Sequence, residues 1–258
     1  MQPVRGRYAR PVPQDPFADS ARLEGVPSAF AATRDGIDSL LRDRGLRRSS
    51  PETTGESLLR GAAATAAIET GEYDLDALRV GEGHRLALAA VRMSTELLGL
   101  VPTWQRAPLQ ALARLHALVG AGTTSSEDLG RPVVPAGAAR LGTLSRLAQQ
   151  PTEAPGLVVA ALVHAEVAAA GAFISHNGVV ARAAERLVMV AKGVDPASVT
   201  VPEAGHSVRP QAYAEALAAY ASDTPEGVHR WLLYAAEAFS LGAEATPLAP
   251  PKPRAPRG

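Results

Sequence analysis

The chain has no cysteine, which excludes a disulfide framework, a thiolate metal site and a cysteine nucleophile. It has no excess of charge either. The 26 Lys and Arg balance 26 Asp and Glu, so no overall field draws it toward nucleic acid or a membrane, and partners must be recognised locally. Runs of about 18 consecutive apolar residues are absent, and the opening stretch MQPVRGRYARPVPQDP has basic residues without an apolar segment. The expectation is a soluble, cytoplasmic protein that meets neither nucleic acid nor membrane. Aromatic residues make up only 4%, so the core must be built from small aliphatic side chains, which suits closely packed helices. Nucleotide fingerprints are missing too. Gly81-Glu82-Gly83 lacks the third glycine of a dinucleotide loop, and no Gly-Lys-Ser/Thr occurs. His84, His116, His206 and His229 have no metal-ligand spacing, so no metal ligands are assigned.

At 258 residues one large domain is expected. Residues 1–25, rich in Pro, Arg and Asp, and residues 246–258, Pro-rich and basic, read as disordered tails. A single domain then spans 26–245, with its core at 56–240. The pattern between the tails is helical almost throughout, an all-α fold. One helix capped by Ser28 carries Phe30, Ile37, Leu40 and Leu41 on one face and ends near Gly45, before a loop with Arg47 and Arg48. Others run from about Glu56 to Thr70, Glu82 to Leu98, Pro108 to Val119, through Ala160–Val167 to Ala170, and from Asn177 to about Lys192. Gly120–Arg140, with Gly130, Pro132 and Val133-Val134-Pro135, breaks the period and reads as a short extended hairpin.

The stretch with the most chemistry is Gly171–Arg182, GAFISHNGVVAR. A buried helix runs into a Phe-led loop, and the loop runs into Asn177-Gly178 at the start of another helix. Amides at such a start point outward unpaired and favour an anion, commonly a phosphate. His176, inside this loop, is expected to stay neutral near pH 7 because the helix N-terminus lowers its pKa. Arg182 and Arg186 lie four apart and can add positive charge on one helix face; surface ion pairs with Glu185 are the alternative. Thr65 and Glu69 are also four apart, so a carboxylate at 69 could meet Arg182.

These residues resemble the Fic (Fido) family, whose signature is H-P-F-x-x-G-N-G-R-x-x-R after an apolar helix. Phe173, Asn177, Gly178 and Arg182 fall in register, and His164 takes the place of the family's helical packing histidine. Gly171 stands where the family has its catalytic histidine, His176 where it has the Gly before Asn, and Val179 where it has the first Arg. The resemblance implies a Fic-like helical bundle with a short β-hairpin flap at 130–140 beside the site, through which a protein partner or target docks; Leu115-His116 and Gly130-Arg131 are similar to its landmarks. It also implies that Tyr213, Leu217 and Trp231–Phe239 close the bundle. Thr65 and Glu69 resemble the family's inhibitory helix, whose Glu pairs with the second motif Arg.

Fic enzymes transfer AMP from ATP to a protein hydroxyl, with a histidine base, phosphate-holding Asn-Gly amides and a carboxylate for Mg²⁺. Gly171 supplies no base and Val179 no cation, and Ile174-Ser175 offers Mg²⁺ no carboxylate. The expected function is therefore a degenerate Fic-fold protein without ordinary AMP transfer. It keeps a pocket for ATP or another nucleotide, built from Phe173, Ser175, Asn177, Gly178, Arg182 and Arg186, in a regulatory or scaffolding role. A diverged transferase using His176 as a relocated base is the alternative, and a helical protein-association module is the second. Oligomeric state stays open, a homodimer included.

Overall fold

The computed structural model describes residues 15–42 and 51–248. Thirteen α-helices are found among them: α1 (Pro16–Ala21), α2 (Val26–Leu40), α3 (Pro51–Thr70), α4 (Leu75–Arg79), α5 (Arg85–Leu97), α6 (Val101–Arg106), α7 (Pro108–Gly120), α8 (Pro135–Ala148), α9 (Gly156–Ala170), α10 (Asn177–Ala191), α11 (Pro202–Ser207), α12 (Pro210–Tyr220) and α13 (Pro225–Glu244). Many begin with proline in the first turn, where its missing N–H would have no partner and its fixed φ is already helical.

The centre is the pair α9 and α10, joined by the loop 171–176. Nearly all of α9 is buried, because Leu157–Val163 offers no polar face. Helices α8, α12 and α13 cover α9, while α5, α6 and α7 cover α10. Further out, α13 packs on α2, α11 and α12, and α3 lies across α5 and α11. The near-continuous run Arg85–Arg106 reaches the length and mean hydropathy of a membrane-crossing segment. Its apolar side is taken up by α3, α7 and α10.

Several expectations change. The β-hairpin at 130–140 does not form, and no strand occurs among the described residues. Residues 120–131 close on themselves through successive turns, with Thr123 and Thr124 N–H on Gly120 O and Arg131 N–H on Asp128 O. Pro132 has no amide to donate, and Pro135 opens α8. What remains is a short extended piece whose Val133 and Val134 amides both donate to Ala172 O, at 2.8 and 3.2 Å.

Residues 15–25, assigned by composition to a tail, are ordered. Asp15 caps α1 through Ala18 N–H and also accepts from Thr152 Oγ1 and Glu153 N–H, and Phe17 is buried in the core. At the other end Thr246 is buried and donates to Val199 O. Residues 1–14 and 249–258 lie outside the described residues, as do Gly45, Arg47 and Arg48. Gly25, not Ser28, caps α2; the Ser28 hydroxyl donates to Gly25 O.

Candidate functional site

The loop between α9 and α10 turns on two left-handed residues. Gly171 (φ 51°) ends α9 and His176 (φ 57°) precedes α10. Thus the residue in place of the resemblance's catalytic histidine is a helix stop in a conformation that suits glycine. Between them Phe173 is buried and stacks on the His116 ring, centroids 4.3 Å apart. Asn177 locks this turn. Its Oδ1 accepts from Phe173 N–H at 2.9 Å, and its Nδ2 donates to Phe173 O at 2.8 Å. The Asn177 side chain is therefore committed to the loop and not offered to a ligand. Substituting Asn177→Ala removes both bonds and should cost about 1–3 kcal/mol; hydrogen exchange at the Phe173 amide, protected in the wild type, is expected to speed up.

Side-chain capping of α10 is absent, so its first amides have no intrahelical partner. Opposite them stands α3, which presents Ser57, Gly61, Thr65 and Glu69 at strict four-residue spacing toward Arg182 and Arg186 of α10. Arg182 is 1% exposed. Its Nη2 donates to Glu69 Oε1 at 2.5 Å, its Nη1 to Tyr213 OH at 3.1 Å, and its Nε to Thr65 Oγ1 at 3.4 Å. Burial disfavours the cation, but Tyr213 and Glu69 outweigh it and raise the Arg182 pKa. The Glu69 side chain is 35% exposed. A Cβ on Gly178 would lie 2.9 Å from Glu69 Oε1. Only glycine lets the carboxylate approach the first turn of α10 this closely.

Arg186 does different work. Its Nε and Nη2 grip both oxygens of buried Glu203 at 2.8 and 2.6 Å, while Nη1 donates to Ser57 Oγ, Ser198 Oγ and Thr200 O. Every donor nitrogen is used inside the protein, so Arg186 is a structural cation one turn further along α10 than the Arg182–Glu69 contact. Neither it nor Glu185 is at the surface. Gly61 lets α3 pass this pair, since a Cβ there would sit 2.8 Å from Arg186 Nη2 and Glu203 Oε2. Continuing the Thr65, Glu69 register backward by fours finds Ser57 and Gly61 in the sequence; Glu203 has no such signal, and Tyr213 was marked only as a residue that closes the bundle.

His176 is partly buried, and its Nε2 lies 3.3 Å from Thr123 Oγ1. Burial lowers its pKa, with Glu69 opposing; the cause differs from the helix dipole expected above. Ser175 Oγ lies 3.2 Å from Thr124 Oγ1. A cleft of about 350 Å³ opens beside His176, walled by His84, Arg85, Leu86, Ala89, Val119 and Thr123.

Behind Arg182 is a cluster that spacing did not show. Glu185 is fully buried, and its two oxygens meet His164 Nδ1 at 2.9 Å and His206 Nε2 at 3.0 Å. His164 Nε2 meets Tyr213 OH and His206 Nδ1 meets Tyr234 OH. Counting donors assigns the protons. The carboxylate accepts, so both facing nitrogens carry N–H, and His164, kept neutral by burial, accepts the Tyr213 proton on its other nitrogen. Burial lowers His164 to about 4; the Glu185 pKa, raised by burial but lowered more by the two histidines, is about 2. The three ligand atoms lie within 4.8 Å of one another, close enough for a cation. Each is already paired without one.

Family models and curated sequences give no match to the chain. Solved structures do. A Fic family protein from Desulfovibrio desulfuricans G20 superposes with a TM-score of 0.68 over 84% of this chain and 73% of that one, at 18% identity. Fic-1 (residues 134–508) from C. elegans gives 0.59 over 82% and 69%, at 14% identity. The chain has a Fic-like fold. At these identities the likeness extends to the fold alone.

Proposed function

We propose that this Fic-fold chain does not carry out ordinary AMP transfer and instead holds a nucleotide- or pyrophosphate-binding pocket at the start of α10, kept closed by Glu69, in a regulatory or scaffolding role. The observation that carries this reading is the Glu69 carboxylate beside Gly178, paired with Arg182. An internal anion sits where a helix start and a buried guanidinium would otherwise attract an external one. Loss of transfer is supported by Gly171, which has no base to offer and caps α9. Arg182 and the Gly178 and Val179 amides would hold the phosphate oxygens. The loop brings no carboxylate for Mg²⁺.

The test is calorimetric titration of wild type and Glu69→Gly with ATP, ADP and inorganic pyrophosphate. Releasing Arg182 from its partner should raise affinity about 10- to 100-fold, the worth of one or two charge-assisted hydrogen bonds. Adding Arg182→Ala should cancel the gain. Equal affinity of Glu69→Gly and wild type would refute the pocket.

A second reading, transfer with His176 as a relocated base, is favoured by one observation: a partly buried imidazole whose Nε2 faces a hydroxyl, Thr123 Oγ1, at 3.3 Å. It requires label transfer from ATP by Glu69→Gly that disappears in Glu69→Gly/His176→Ala.

A further inference from the structure

His116, on α7, is completely buried, and its two ring nitrogens have opposite fates. Nδ1 accepts the Gly130 amide at 2.9 Å. A nitrogen that accepts has no proton, so the neutral ring carries its proton on Nε2. Burial, aided by His176, lowers the ring's pKa and keeps it neutral. The Nε2–H is thus a buried donor, and no acceptor among the described residues lies in hydrogen-bonding geometry with it. The Ser175 backbone is close enough to favour the protonated ring, yet it does not reach hydrogen-bonding geometry with Nε2. Leaving such a donor unpaired is a cost comparable to losing a hydrogen bond.

Packing alone does not explain this side chain. The stack on Phe173, at 4.3 Å and 11°, asks only for a flat ring, and phenylalanine would provide one without an orphaned N–H. The ring that carries the unpaired donor also stacks on Phe173 of the loop 171–176. His176 follows Ser175 in the left-handed region at φ 57° and caps α10 without a side-chain bond. A strained residue and an unpaired donor meet at one peptide, which joins Ser175 to His176.

We propose that His116 is the positioning residue of the anion loop. When an anion occupies the first turn of α10, the loop settles so that Ser175 C=O accepts the Nε2–H of His116. A trans peptide directs its C=O and N–H to opposite sides, so this bond points the His176 N–H away from α7. The bond also polarises the amide as a donor. Gly130 holds the other ring nitrogen, so the extended piece 130–134 is linked to the anion loop through a single imidazole. The inference rests on reading the start of α10 as an anion site.

The test uses full-length Glu69→Gly protein and inorganic pyrophosphate as the probe. His116→Phe keeps the stack and removes both polar links. In the Glu69→Gly background it should weaken pyrophosphate binding about five- to tenfold, the worth of one hydrogen bond, and His116→Gln, which retains an acceptor and a donor, should recover part of the loss. Nitrogen-15 NMR of labelled histidine, which needs no His116 variant, should show the Nε2–H tautomer in the free protein and a saturable downfield shift of that proton with pyrophosphate. Unchanged affinity in Glu69→Gly/His116→Phe while Glu69→Gly binds, an Nδ1–H tautomer, or a proton that ignores pyrophosphate overturns the role of His116 alone. Failure of Glu69→Gly itself to bind overturns the anion site and this role with it.

Discussion

Replacing Arg186 by alanine should lower the unfolding free energy by about 3–5 kcal/mol, the cost of leaving a buried partner charge uncompensated. Glu203, whose side chain is 7% exposed, would remain in the interior with both oxygens unpaired. Ser57 Oγ and Ser198 Oγ would lose the Arg186 donor as well, while Thr200 O would keep only the Ser57 hydroxyl. The magnitude belongs to breaking the pair, not to the pair's net worth. Replacing both members, Arg186→Met with Glu203→Leu, should therefore recover most of the loss. Arg182→Ala is the informative control. Its partner Glu69 is one-third exposed and rehydrates when released, so a loss of only about 1–2 kcal/mol is expected. Urea titration with an unchanged slope measures both. If the two alanine variants cost the same, Arg186 of α10 and Glu203 of α11 do not form a dry ion pair, and the difference between the two arginines fails.

As pH falls from 6.5 to 4 the protein should lose on the order of 3 kcal/mol of stability through His164, the linkage value of its pKa displacement. Its folded pKa, lowered by burial from 6.5 to about 4, lies below the unfolded one, so in this window the unfolded chain binds more protons. Stability is complete above pH 6.5 and drains away as pH approaches 4. Glu185, at about 2 against 4.5, extends the decline below pH 4.5 with the same sign. The groups facing His164 are Glu185, His206, Tyr213, Trp231 and, through Tyr213, Arg182. His116 and His176 are also lowered and contribute to the slope, so the decisive quantity is the difference between wild type and His164→Gln. Thermal melts across pH 4 to 7 should be flatter in the variant. Equal slopes would mean that water reaches the cluster.

The helical architecture was readable because it rests on local rules. In α9, seven apolar residues in succession at helical length leave no side for solvent, and proline at many helix starts fixes the boundaries. The turn at Gly171–Asn177 was readable from its residue types, and the Thr65, Glu69 spacing taken with the family resemblance suggested a carboxylate that could meet Arg182, a contact that the structure contains. The hairpin at 130–140 failed because Val133-Val134 has strand propensity but Pro132 and Pro135 deny it a ladder, a context effect stronger than propensity. Helix α1 escaped notice because Asp15 is anchored by residues 137 and 138 positions away.

The sequence by itself determined a mostly helical chain with a glycine-turned loop running into the helix that starts at Asn177, since turns and helix starts are set within a few residues. Tertiary structure alone decided which charges became interior. Arg182 and Arg186 are equivalent by spacing, yet one meets a one-third exposed Glu69 and the other a dry Glu203, and Glu185 is buried between two histidines brought in from α9 and α11. Burial and pairing depend on which distant helix lies opposite, and four-residue periodicity says only which side a residue faces.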